Sequence, residues 1–517
     1  MMDTNVHTPP IMKGPSNMSK ASKTVKKPAT RAGKENEKAI SSRAIDEYSK
    51  RFNSERANRV AANASTSLGL IKAATSYQGV RSLPKDFSVD LKQTGITNQK
   101  QSGRCWMFAA LNTLSFEVMH KWNLDDFEFS ESYLFFWDKI EKSNTYLENV
   151  LATLDEDTDS RIFTIINYEP ADDGGWWQMF VNLVNKYGLM PKSAFPESAN
   201  SGNSDDFTMY LNVKLREFAS QLREEHQAGA SLDKLRELKL NDMETVYRIC
   251  AISLGEPPKK FDFFARTKED DKKEDCKDEK TKSDGKTKNV SKDAKDSKES
   301  RIDDRPQIRE YGITPQEFYA KYVPVDVNDY VTLCNNPMKS RPFNRRYQLK
   351  FSTNVAETGP LEFVNVDMDT IHKAALDQLQ AGHPLWFACD CDQYALLRGK
   401  EGIFDPGAVR VDELFGTEFT FDKAHALQYG VSSANHAMTF TGVNIDEDGQ
   451  ADRWKVENSW GKDVGEDGYY VASDEWFRRY VNELIVRKEF LPEPVLDALQ
   501  SEPLTLEPWQ SLSSICR

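Results

Sequence analysis

The stretch QSGRCWMFAALN, residues 101–112, sets Cys105 between a Gly-Arg pair and a tryptophan, where a glycine-broken loop gives way to an apolar run of helical spacing. A thiol attacks as its thiolate, and a helix N-terminus with an imidazolium nearby favours that form. On this stretch alone, Cys105 is either a nucleophile on the first turn of a helix or a small buried side chain packed beside Trp106 and Phe108.

A nucleophile of this kind needs a base. Of the seven histidines, His436 stands out in SSANHAMTFTGVN, because it opens an apolar, β-prone run bounded by Gly442. A strand's start can hold an imidazole rigidly. Downstream, WKVENSWGKDVGEDGYY supplies Asn458, whose side-chain carbonyl can accept from one ring nitrogen and leave the other facing the thiol. Trp460 is placed to cover that hydrogen bond. Six residues before Cys105, Gln99 has an amide that can point at the carbonyl oxygen under attack and form an oxyanion hole with the Cys105 backbone N–H.

The fuller strings NQKQSGRCWMFAALN, NHAMTFTGV and WKVENSWG, in that order, resemble those of papain-like cysteine peptidases and, more closely, their bleomycin hydrolase branch. The likeness extends over roughly residues 45–491. It implies Cys105 as nucleophile, His436 as general base and acid, Asn458 as the orienting residue and Gln99 as oxyanion donor. Gly174 and Gly175 in DDGGWW match the family's glycine pair, whose backbone lies beside a bound peptide; the residues alone also allow a plain turn. The resemblance further implies a homohexamer, aminopeptidase action on short peptides, and a C-terminal arm that reaches the cleft. The ending LTLEPWQSLSSICR departs from the family's small, apolar one, because Arg517 brings a cation towards the substrate's own ammonium. Removal of Arg517 by self-cleavage is the expectation that reconciles the two.

The rest of the chain fits an α+β fold, with helices in the first part and a β-rich second part. Helical patterns cover 102–121, 176–187 and 209–240, then 315–322 and 367–381, followed by strand patterns at 385–389, 437–443, 453–456 and 468–471. One peptidase domain is expected over 46–491, with a C-terminal arm over 492–517. Residues 1–45 read as a disordered basic tail, and 268–300 as a solvated insertion of mixed charge within the domain.

Sixty-eight Lys and Arg against 81 Asp and Glu leave a net charge of −13, which argues against a surface built as a whole to bind polyanions. A regulator that contacts nucleic acid through Lys20, Lys23, Lys26, Lys27 and Arg31 remains the rival reading. No apolar run is long enough for a membrane span, and a cytoplasmic location is expected; Glu35, Glu37 and the absence of amphipathic periodicity argue against mitochondrial import. Seven scattered cysteines do not suggest a disulfide framework, and Cys389 with Cys391 lacks the second ligand pair a zinc site needs. No cofactor or metal is expected.

Overall fold

A computed structural model describes residues 38–91, 95–268 and 305–510. The predicted insertion from residue 269 on and most of the predicted tail lie outside the described residues, as does Arg517. The chain divides into two units, residues 1–63 and 64–517.

In the first unit, the helix Ser42–Ser54 starts inside the segment read as tail, because the Ser41 side chain accepts from the Ala44 N–H and caps it. None of its residues is buried, and Ile45, Tyr48 and Phe52 stand exposed at helical spacing.

In the second unit, helices come first. Cys105–Trp122 begins three residues later than its pattern: Ser102 turns back to donate to the Gln99 carbonyl, and the Gly103 N–H is taken by Asp173. The predicted single helix over 209–240 is two helices, Asp205–Gln227 and Leu232–Leu254. Gly229, at φ +91°, breaks the run, and Ser231 caps the second helix by accepting from the Lys234 N–H. Between these lies Glu131–Ala152, a helix the sequence patterns did not reveal, with Glu131, Asp138, Lys139, Glu141 and Lys142 all buried.

A 12-stranded sheet follows. From one end its strands run Leu504–Leu506, Arg345–Leu349, Leu361–Asn365, Tyr330–Cys334, Val481–Arg487, Leu385–Cys389, His436–Ile445, Ala451–Glu457 and Tyr469–Ser473, before two short strands at the far edge. The four predicted strands therefore lie side by side in its central and far parts. Among the described residues two large apolar clusters result, with two small ones beside them. One gathers Cys105, Trp106, Met107, Leu111 and Leu114 with the other helices, while Phe387, Met438, Phe440, Trp454 and Phe477 belong to the sheet's own core.

The helix Cys105–Trp122 is buried along most of its length and lies against the strands His436–Ile445 and Leu385–Cys389. Thr439 Oγ1 donates to the Ala109 carbonyl at 3.1 Å, and Trp386 Nε1 donates to the Trp106 carbonyl at 2.9 Å. These two bonds pin helix start and strand start to one level, which places the site.

Candidate active site

Cys105 is the first residue of its helix and is 2% exposed. Its loop is held from both sides. Arg104, fully buried, makes a bidentate pair with Glu197 at 3.0 and 2.8 Å, donates to the Ser201 carbonyl at 2.6 Å, and stacks on Phe108 and Phe135. Burial alone would raise the Glu197 carboxyl, but the Arg104 guanidinium outweighs it and holds Glu197 below the ordinary carboxylate range. On the other side, the Asp173 carboxylate accepts from the Gly103 N–H at 3.0 Å, from Ser204 Oγ and from Lys139 Nζ at 2.6 Å. Burial opposes its charge as well, and these donors reverse the effect, so Asp173 stays ionised.

His436 opens its strand directly opposite Cys389. Its Nε2 lies 2.9 Å from Asn458 Oδ1, and its ring makes a side-chain hydrogen bond with Cys105. Asn458 follows the neighbouring strand, Ala451–Glu457, and is almost wholly buried. Trp460 stacks over the imidazole, with centroids 4.7 Å apart and planes 29° from parallel. Burial disfavours the charged ring, whereas the charge of the Cys105 thiolate and the hydrogen bonds to Cys105 and Asn458 favour it; the net effect raises the His436 pKa. The arrangement suits a thiolate–imidazolium pair.

Gln99 is buried beside the same loop. Its Oε1 accepts from Ser459 Oγ at 2.6 Å, which fixes the amide, and Nε2 donates one hydrogen to the Ser102 carbonyl at 2.7 Å. The second amide hydrogen is left for another acceptor. Gly175 packs against Trp106, and a Cβ there would come within 2.6 Å of the indole ring, so a bare backbone is required where this segment passes the nucleophile. The preceding carbonyl, that of Gly174, accepts from Lys142 Nζ.

An open cavity of about 740 Å³ begins beside these residues, with Lys142, Asp172, Trp176, Ser432 and Ser433 among its walls. Trp509, stacked under Arg161 at 4.5 Å, forms part of its far side. The chain reaches that point along the strand Leu504–Leu506, which pairs in parallel with Arg345–Leu349.

Cys105, His436, Asn458, Gln99 and Trp460 therefore come together from positions as much as 361 residues apart, and Gly174 and Gly175 border them. Sequence reasoning did not assign Arg104, Lys139, Lys142, Asp173 or Ser459. Ser459 stood inside a quoted motif, between Asn458 and Trp460, but the lysines carried no motif at all.

The family model described as "Peptidase C1-like family" matches residues 39–298 and 298–513. Aminopeptidase C of Listeria monocytogenes is 36% identical over 472 residues, 91% of this chain and 98% of that protein. Aminopeptidase W of Lactobacillus delbrueckii subsp. lactis is 35% identical over 475 residues, 92% and 99% of the two chains. The crystal structure of PepW from Lactobacillus rhamnosis superposes with a TM-score of 0.82 at 36% identity, covering 92% of this chain and 98% of that one. With its α+β architecture and this cysteine–histidine pair at the seam, the chain belongs to the Peptidase C1-like family and has the papain-like fold.

Proposed function

We propose that the protein is a cysteine aminopeptidase of bleomycin hydrolase type, which cleaves peptide amide bonds through a thioester on Cys105. The observation that carries this reading is the imidazole of His436, bonded to Cys105 and, 2.9 Å away, to Asn458. In the proposed cycle the Cys105 thiolate attacks the substrate carbonyl, while Gln99 and the Cys105 N–H stabilise the oxyanion. His436 then protonates the leaving amine, and water, with His436 as base, releases the acid. The same chemistry extends to non-peptide amides.

The restriction to a free N-terminus is proposed to come from the C-terminal arm, which lies on the cavity wall as far as Trp509. The residues beyond it, ending at Arg517, would narrow the cleft and pair with the substrate ammonium, with Arg517 itself trimmed off. A peptide with a free N-terminus is expected to lose its first residue at least about a hundredfold faster than its N-acetylated twin, since an unpaired charge in the site costs a few kcal/mol. Product analysis by mass spectrometry, with iodoacetamide-treated enzyme as control, reads this directly; internal cleavage of both peptides at equal rates would make the enzyme an endopeptidase. The exposed stripe Ile45, Tyr48 and Phe52 supports self-association, and a homohexamer is the assembly proposed.

Asn458→Ala is expected to reduce kcat/KM less than loss of the nucleophile does, because Trp460 still packs on the imidazole. Its bond to His436 is one of the interactions that raise the ring's pKa, so its removal should move the alkaline limb of the pH–kcat/KM profile to lower pH. The profile is measured by initial rates; an unmoved limb would deny Asn458 its orienting role.

A further inference from the structure

We infer that Lys142 is a positioning residue for the bound peptide, acting through the backbone of Gly174. The inference rests on the peptidase reading of the cleft.

The Lys142 side chain is 7% exposed and belongs to the helix Glu131–Ala152. Its ammonium meets Asp138 Oδ2, on the same helix, at 3.0 Å. Asp138 is fully buried and is also held by Asn354 Nδ2 at 3.2 Å. One such carboxylate is enough to balance the buried charge. The ammonium nevertheless makes further contacts, and these go to one short segment some thirty residues downstream: the Asp172 carbonyl at 3.0 Å, Asp172 Oδ1 at 3.3 Å and the Gly174 carbonyl. It also stands 5.5 Å from the centroid of the Trp106 ring, beside the nucleophile.

That segment lies in neither helix nor strand; Lys139 holds its Ala171 carbonyl at 2.6 Å and Trp106 Nε1 its Asp173 carbonyl at 2.7 Å, and the two glycines that follow have no side chain of their own to fix them. Lys142 supplies the tie at Gly174 itself. It draws the Gly174 carbonyl inward, and since a peptide unit is planar and trans, the Gly175 N–H is turned the opposite way. Among the described residues no group accepts from that N–H, and buried backbone donors are seldom left unpaired. Trp106 closes off the side where a Gly175 Cβ would sit. The Gly175 N–H is thus a donor held in place for a peptide carbonyl, and Lys142 sets its direction.

The experiment compares Lys142→Met, the double variant Asp138→Asn/Lys142→Met and Lys142→Arg, using an aminoacyl-coumarylamide as substrate. The double variant carries the test if the single one is insoluble, since it leaves no buried carboxylate without a partner. KM should rise about tenfold or more, with kcat within about threefold of wild type. The rate of Cys105 alkylation by iodoacetamide should stay within about twofold, because that reaction uses the thiolate and not the peptide-binding backbone. Lys142→Arg, which keeps the cation, should recover part of the lost KM. An unchanged KM in the folded double variant would overturn the inference, and so would a parallel loss of alkylation and turnover, the mark of a merely structural lysine. A wild-type enzyme indifferent to iodoacetamide would instead bring down the peptidase reading itself, and this inference with it.

Discussion

Cys105→Ala is expected to lower turnover of an unblocked peptide by about a millionfold, to the level that binding and the oxyanion contacts supply without a nucleophile. The fold should survive, since the thiol is small and its helix is held by Arg104, Trp386 and Thr439 rather than by sulfur. Initial rates, with circular dichroism as the check on folding, decide the matter, and a variant within tenfold of wild type would remove Cys105 from the mechanism. The same variant tests the trimming of Arg517: intact mass should find it one arginine heavier than the active enzyme, apart from the substitution, and equal masses would reject self-cleavage.

Arg104→Met should have the largest effect on stability. It leaves the Glu197 carboxylate, 14% exposed at its side chain, without its bidentate partner, and breaking a buried pair in this way costs about 3–5 kcal/mol. Removing both charges, in Arg104→Met/Glu197→Gln, should recover much of the loss. Because Glu197 is held below its ordinary carboxylate range, the pair's contribution is present at neutral pH and disappears as the pH falls through the folded-state value. Urea midpoints of the three proteins, measured at neutral and acidic pH, test both statements. A single variant as stable as wild type would show that the clamp contributes little.

The residues that the structure brings together at the candidate site were legible because each sits in a local signal: a loop breaking into a helix at Cys105, a β-prone run opening at His436, a polar Asn458 after an alternating strand. The α+β class followed from the order of such runs. The buried charges behind the site were not legible, and the reason is physical. On the helix Glu131–Ala152, which no sequence pattern revealed, Asp138, Lys139 and Lys142 are buried. What makes their burial tolerable is a set of partners supplied by residues 171–174 and 208, and no local pattern announces such distant pairing. The merged helix over 209–240 failed for a smaller reason, since one glycine inside an otherwise periodic run can be tolerated or can end the helix. Gly229 ends it.

The sulfur belongs to the helical half and the ring to the sheet, with Thr439 and Trp386 as the ties between them. Catalytic competence is therefore a proximity gauge for how the halves are seated. Mild denaturant that loosens this seam by an ångström should silence the enzyme while its helices and strands still give their full spectroscopic signal.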